Sequence, residues 1–191
     1  MGPAEQRALT TSATARLAAK AAMEEGIRHI VIASNTGATA LALLEALKAE
    51  FPGGGGPKVV CVTHMVGFSE DGADEMSADM RKRLADEGVS VLTTTHLFGG
   101  VERSMSNQWK GIYPLSMVAN SLKLFGQGTK VAVEIAVMAL DSGLIPFGHD
   151  VISIGGTGRG ADTALMIRPA HSLKFFDTSI VRVITMPERR S

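Results

Sequence analysis

Four short apolar runs, each closed by a polar, glycine-bearing turn, restrict this chain to an open α/β sheet more than any other feature does. They are HIVIASNTGATA (29–40), VVCVTHMVGF (59–68), VSVLTTTHLFGG (89–100) and DVISIGGTGRGAD (150–162). Helical patterns alternate with the first of these strands, which implies right-handed crossovers and a parallel sheet. All four turns then fall on the carboxyl edge of one sheet. Ligand crevices lie there in folds of this type, and loops there are free of packing duties. The expected pocket therefore sits above strands 28–33, 58–63, 89–93 and 150–154.

The remaining elements follow from periodicity and stop signals. Residues 4–25 carry Leu9, Ala13, Leu17 and Ala21 at helical spacing and end at Gly26. Helix 37–50 is apolar on most of its circumference (Ala40, Leu41, Leu43, Leu44, Leu47), which predicts deep burial. PGGGGP at 52–57 reads as a surface loop. Met76, Met80 and Leu84 stand four apart in a predicted helix 73–87 that stops at Gly88. Strand 89–93 is rich in β-branched residues. A helical stretch covers 101–143, opened by Glu102 and Arg103 after Gly100 and interrupted at Pro114 and at GQG 126–128. Strands 163–168 and 180–186 have no long helix between them, so at least one runs antiparallel at the edge. The expectation is a single domain over 1–191, three-layer α/β/α, with a mostly parallel sheet and an antiparallel edge strand.

Composition removes several function classes. With 19 basic and 19 acidic residues the formal net charge is zero, so no overall field recruits nucleic acid or a membrane surface. Aromatics at 5% are too few for a base-stacking platform. No apolar run has bilayer-spanning length, and the start lacks both a secretory h-region and a myristoylation signal. Cys61 is the single cysteine, which precludes an internal disulfide and suits a reducing cytoplasm. The basic tail Arg189-Arg190 reads as frayed and solvated. A core-forming fraction of 45% hydrophobic residues over 191 positions is ample for one globular unit.

Two of the turns have the chemistry of phosphate cradles. The first offers Ser34, Asn35, Thr36, Gly37, Ala38 and Thr39, with hydroxyl and amide donors around a glycine and a helix start behind them. The alternative is an ordinary helix N-cap, for which Ser, Asn and Thr are the usual residues. The second runs Gly155, Gly156, Thr157, Gly158, Arg159, Gly160, Ala161, Asp162, Thr163. Four glycines within six residues make a backbone concavity, and Arg159 adds a fork that matches an anion. The spacing differs from the dinucleotide fingerprint, and no Walker lysine is present. The alternative here is a mobile hairpin-like connection. Asp162 is expected to order the loop through backbone N–H groups rather than touch an anion.

Other polar residues carry weaker signals. His64 and His96 stand just past two strand ends, with Cys61 three residues before His64; together they fall short of a closed metal set. A ring-contacting, hydrogen-bonding or proton-donating role suits these two histidines. His29, His149 and His171 read as structural. Glu134 interrupts VAVEIAVMAL, and pairing with Lys130 one turn earlier is the preferred reading. Gly99 and Gly100 bring N–H groups toward the crevice, where the edge of a flat ring can bind. The methionines read as gap-filling core or interface residues.

The stretches IVIASNTGATA and VISIGGTGRGADTALMIRPA resemble the first strand and the fourth-strand loop of the C-terminal α/β domain of pyruvate kinase. THLFGGVERS (95–104) and GQGTKVAVEIAVMALDSG (126–143) are similar to free-standing bacterial and archaeal proteins built on that domain alone. The resemblance covers roughly residues 10–187 by order of elements. It implies a phosphorylated small-molecule ligand. In the kinase the two matching loops hold a sugar bisphosphate, and some free-standing members are associated with flavin mononucleotide (FMN). It implies no kinase activity, because the catalytic barrel has no counterpart in these residues. With FMN, the phosphate would rest on the two glycine turns. The ring would lie near THMVGF and THLFGG, that is, near Thr63, His64, Gly67, His96 and Gly100. A sugar-phosphate effector module, or an enzyme acting on a phosphorylated metabolite, are the alternatives. Surplus apolar surface on helices 129–143 and 37–50 points to a homo-oligomer.

Overall fold

A proline in its first turn and a glycine just past its end bound the first helix. In the computed structural model α1 spans Pro3–Glu24, and Gly26 at φ 64° turns the chain toward β1 (His29–Ala33). Residues 2–188 are described, except for the side chains of Ala8 and Leu9; the tail residues Arg189 and Arg190 lie outside the described residues. There follow α2 (Ala38–Glu50), β2 (Lys58–Val62), α3 (Ala78–Asp86), β3 (Ser90–Leu92), α4 (Gly100–Trp109), α5 (Pro114–Lys123) and α6 (Gln127–Asp141). The chain closes with β4 (Val151–Gly155), β5 (Thr163–Arg168), a 3-10 segment (Ser172–Asp177) and β6 (Ser179–Thr185).

The six strands form one sheet in the order β3-β2-β1-β4-β5-β6. The first four pair in parallel, whereas β5 is antiparallel to both β4 and β6. The reversed strand is therefore the penultimate one, and β6 outside it points the same way as β1 to β4. Strand alternation sends Ile30, Ile32, Val59, Cys61, Ile152 and Ile154 to one face, against Ala15, Ala18, Ala19 and Ala22 of α1 and Ala40 and Leu43 of α2. Val31, Val60, Val62, Val151, Leu165 and Ile167 go to the other face, under Ala132, Val133, Ala136 and Ala139 of α6. Each such large side chain contributes about 1.5–3 kcal/mol of transfer free energy on burial. The three-layer α/β/α arrangement expected from the sequence is the observed one.

Three expectations change. The third helix starts at Ala78, not 73, because the Ser77 hydroxyl accepts the Met80 N–H and caps it; residues 73–76 fold into a turn. The 3-10 segment at 172–177 had no signal, its six residues, kinked at Lys174, being too short for periodicity. The apolar surplus assigned to α6 and α2 is absorbed within the chain: residues 132–140 of α6 are all buried, and α2 buries Ala40, Leu43, Ala46 and Leu47. Among the described residues no helix is long and apolar enough to cross a membrane.

Candidate functional site

Parallel strands followed by helices place several helix N-termini at one edge of the sheet. The N-termini of α2 and α6 meet the ends of β1 and β4 there. The closest approach is at the β4 end, where a Cβ on Gly155 would stand 2.3 Å from the Gly128 carbonyl oxygen, and one on Gly128 would collide with Asp162 and Thr163. Only glycine at these two positions lets the first turn of α6 rest on the strand end. The resulting edge gathers all four sequence-identified turns.

The turn after β1 is fixed from several sides. Ser34 is buried, and its hydroxyl accepts the Ala40 N–H at 3.4 Å, which caps α2 from four residues upstream of the helix start. Asn35 is tied twice to the neighbouring strand end: its Nδ2 donates to His64 Nε2, and its Oδ1 accepts the His64 N–H, both at 3.1 Å. Gly37 takes φ 86°, and a Cβ there would press into the Met80 side chain. Thr39 is buried; Thr36 is exposed and its hydroxyl has no partner among the described residues. Capping, the alternative reading of this turn, thus accounts for Ser34, while Asn35 holds the strand ends together.

His64 is the centre of the β2 end. With Nε2 accepting from Asn35, its Nδ1 is left to donate to Glu75 Oε2 at 2.5 Å. Burial works against the Glu75 charge. The His64 and Ser69 hydrogen bonds and the His64 and Arg159 charges outweigh it and hold the carboxyl below its usual value. The reach of Arg159 to Glu75 places the β4–β5 turn and the loop after β2 within electrostatic contact. The rings of His64 and Phe68 lie 3.8 Å apart, His96 stands 5.4 Å and 5.3 Å from them, and the Arg103 guanidinium lies 5.4 Å over Phe68. Burial, more than any charge, lowers the His96 pKa and so favours its neutral ring; His64 and Lys130 add to this, while Glu134 and the hydrogen bond with the Thr63 backbone oppose it. Thr63 is buried, its hydroxyl donating to the His64 carbonyl and pairing with Thr93, both at 2.7 Å. Arg81 in turn bonds Thr93 and Asp74. Gly67 at φ 82° and Gly100 at φ 47° occupy the bends of the two loops.

Glu134 pairs with Lys130 as read from the sequence, and it does one thing more. Its Oε1 accepts the Phe98 N–H at 2.9 Å, which fastens the 95–100 loop to α6. A buried carboxylate facing a loop 36 residues away left no trace in local spacing. Cys61 is buried under the α1–α2 layer, its thiol donating to the Ser34 carbonyl at 3.5 Å, and desolvation pushes that thiol up to about 12. Among the described residues no cluster of His, Cys, Asp or Glu has the make-up of a metal site. His171 pairs with Asp141 and stacks on Phe147, and His149 bonds the Phe147 carbonyl, both away from the strand-end cluster.

The turn after β4 combines a locked root with an open tip. A Cβ on Gly156 would meet the Gly160 carbonyl at 2.1 Å, one on Gly160 would meet Thr11 of α1, and the Ala161 N–H donates to the Thr11 hydroxyl at 3.0 Å. The Asp162 N–H bonds the Gly155 carbonyl. The Asp162 carboxylate accepts from the Thr163 hydroxyl at 2.7 Å rather than from backbone N–H groups. Thr157, Gly158 and Arg159 are exposed, with Gly158 at φ 73° and Gly160 at φ 83°. A cavity of about 340 Å³ opens at the same edge, lined among others by Thr10, Thr14, Asp162, Thr185 and Pro187. It lies to the α1–β6 side of the turn rather than above β1–β4.

A family model described as "Pyruvate kinase, alpha/beta domain" matches residues 12–168. Among solved structures, a pyruvate kinase from Cryptosporidium parvum aligns at 15% identity and TM-score 0.41, over 82% of this chain and 22% of its own. A second structure of the kinase from that organism, in complex with ADP, aligns at 15% identity and TM-score 0.41 over 93% and 24%. The chain thus spans less than a quarter of the length of these kinases.

Proposed function

Because this chain belongs to the pyruvate kinase alpha/beta domain family, we propose that its carboxyl strand edge binds a phosphorylated small molecule, with FMN as the ligand. The observation that carries this reading is the exposed tip Thr157-Gly158-Arg159 in the turn after β4, a strand that pairs in parallel with β1, whose own turn carries the exposed Thr36 before α2. A hydroxyl without a hydrogen-bond partner among the described residues on each of the turns after β1 and β4, an exposed guanidinium whose charge reaches Glu75, and left-handed glycines form a donor set suited to one phosphoryl group. Ser34, Asn35, Thr39 and Thr63 support it from behind through internal bonds or burial. The half-buried Phe68, with His64 and His96 beside it, offers a flat apolar face for a ring. The residues present therefore suit both ends of FMN. A bound flavin would supply redox chemistry of its own, and these side chains would bind and orient it.

A sugar phosphate without a flat ring is the second reading. It is favoured by the aromatic cluster already packing upon itself, which leaves the phosphate end as the better-equipped half. Titration with FMN, riboflavin, a sugar bisphosphate and inorganic phosphate separates the two. FMN should bind at least about tenfold more tightly than riboflavin, equivalent to about 1.4 kcal/mol. Thr36→Ala and Thr157→Ala should each weaken FMN binding by about 1–2 kcal/mol. Arg159→Ala should flatten its salt dependence. Sugar bisphosphate binding with no response to either flavin selects the second reading. Equal affinity for riboflavin and FMN would remove phosphate recognition altogether.

A further inference from the structure

The longest run of exposed apolar side chains lies away from the glycine turns. Among the described residues, eight of the eighteen large hydrophobic residues that stand exposed fall between residues 101 and 125. Val101, Met105 and Trp109 recur four apart and so form one stripe along α4, with Val101 76% and Trp109 64% exposed. Ile112, Met117 and Leu124 continue the exposure into the connection and α5, Ile112 at 84%. Helix α4 buries none of its residues. It is tethered through Glu102, whose carboxylate accepts the Leu115 and Ser116 N–H groups and the Ser116 hydroxyl at the start of α5. A ten-residue helix is not stable in water by itself, since helices shorter than about 12–15 residues are marginal without packing. The apolar stripe is the face by which such a helix is held.

We infer that the α4–α5 stripe is the contact surface for a second copy of this chain. Side chains of this size present roughly 100 Å² each, so the eight amount to roughly 800 Å², about one partner's share of a standard dimer interface. Charge points the same way. Residues 100–125 carry Glu102, Arg103, Lys110 and Lys123, a sparse mixture that lacks the basic density of a membrane-surface helix. The chain as a whole is formally neutral, so two copies meet without net repulsion. The contact would bury the only tryptophan of the chain at its centre and settle α4, whose Arg103 lies over Phe68 of the candidate site.

Sedimentation velocity across a hundredfold range of protein concentration tests this, with Trp109 emission as a second readout. A dimer is expected whose emission is blue-shifted and moves to the red on dilution, as the indole returns to water. Trp109→Glu and, separately, Met117→Glu should each weaken self-association at least tenfold with unchanged far-ultraviolet dichroism, since neither side chain supports the core. Three results would overturn the inference. They are a monomer at every concentration, an oligomer whose mass and affinity ignore both variants (placing the contact elsewhere, as on the open edge of β6), and a monomer that sediments with anionic vesicles through the same stripe.

Discussion

The two glycine turns at the ends of the adjacent strands β1 and β4 are built on opposite plans. In the first, nearly every polar side chain is occupied: Ser34 caps α2, Asn35 is bonded twice to His64, and Gly37 is closed over by Met80. In the second, the backbone is fixed at the root by Gly155, Gly156 and Gly160, and the side chains at the tip reach into solvent. One turn is ordered by its side chains and the other by the absence of them. A ligand site needs both properties, order and unspent donors, and here two neighbouring turns divide them.

The largest effect should come from attacking the order of the second turn. Gly155→Ala drives a methyl into backbone that no rotamer change can move, and should lower unfolding free energy by about 3 kcal/mol or more, read by urea denaturation. Gly158→Ala meets open space and should cost only about 1 kcal/mol, for its left-handed φ. If the two substitutions were equally harmful, the distinction between root and tip would fail. Next in size, Asn35→Ala should cost about 1–3 kcal/mol, because it deprives His64 of two hydrogen bonds. Thr36→Ala beside it should stay within about 0.5 kcal/mol. Thr157→Ala and Arg159→Ala should likewise leave stability within about 0.5 kcal/mol while weakening FMN binding, so that a stability loss in either would show the tip to be structural.

Protonation should give the smallest effect. The fold holds Glu75 below its usual 4.5, so the resulting stabilisation is fully present above that pH and is lost as pH falls through the folded value. Arg159→Ala should move the Glu75 titration, followed by NMR, toward the usual value; no movement would sever the link between the second turn and the loop after β2. His96 acts in the same direction. Its folded pKa is depressed from 6.5, so the unfolded chain takes up the proton first and stability declines as pH drops below 6.5. A His96 ring that titrates at its usual value would contradict the burial that favours its neutral form.

The layers were legible because apolar runs and stop residues are local signals. Gly26, Gly88 and Pro114 sit at the element ends they announced, and a reversed strand near the end of the chain followed from the missing helix, although it is the penultimate strand of the sheet rather than the edge one. What escaped depends on pairs distant in sequence. Asn35 meets His64 across 29 residues and Glu134 meets Phe98 across 36, so the same Asn and Glu read locally as a donor and as half of an ion pair. The early start given to α3 has a similar cause: Asp74 and Glu75 suit a first helical turn, yet Arg81 and His64 draw them out of it. Spacing also could not tell which of two similar glycine turns keeps its donors free.

The pairing of β1 with β4 has a consequence for how the molecule comes into being. On one side β1 is joined by β2 soon after both are made, but Ile30 on its other side waits for Ile152. At synthesis rates of about 5–20 residues per second, that wait is on the order of ten seconds. Through it the nascent chain carries an unpaired strand edge, Ile30 to Ile32, at what will become the centre of the sheet. Thr11 waits longer still for Ala161, 150 residues away. The glycine turn that would receive the ligand is thus set after the first three parallel strands, and every truncated product ending before β4 exposes a sticky edge to its neighbours on the same message.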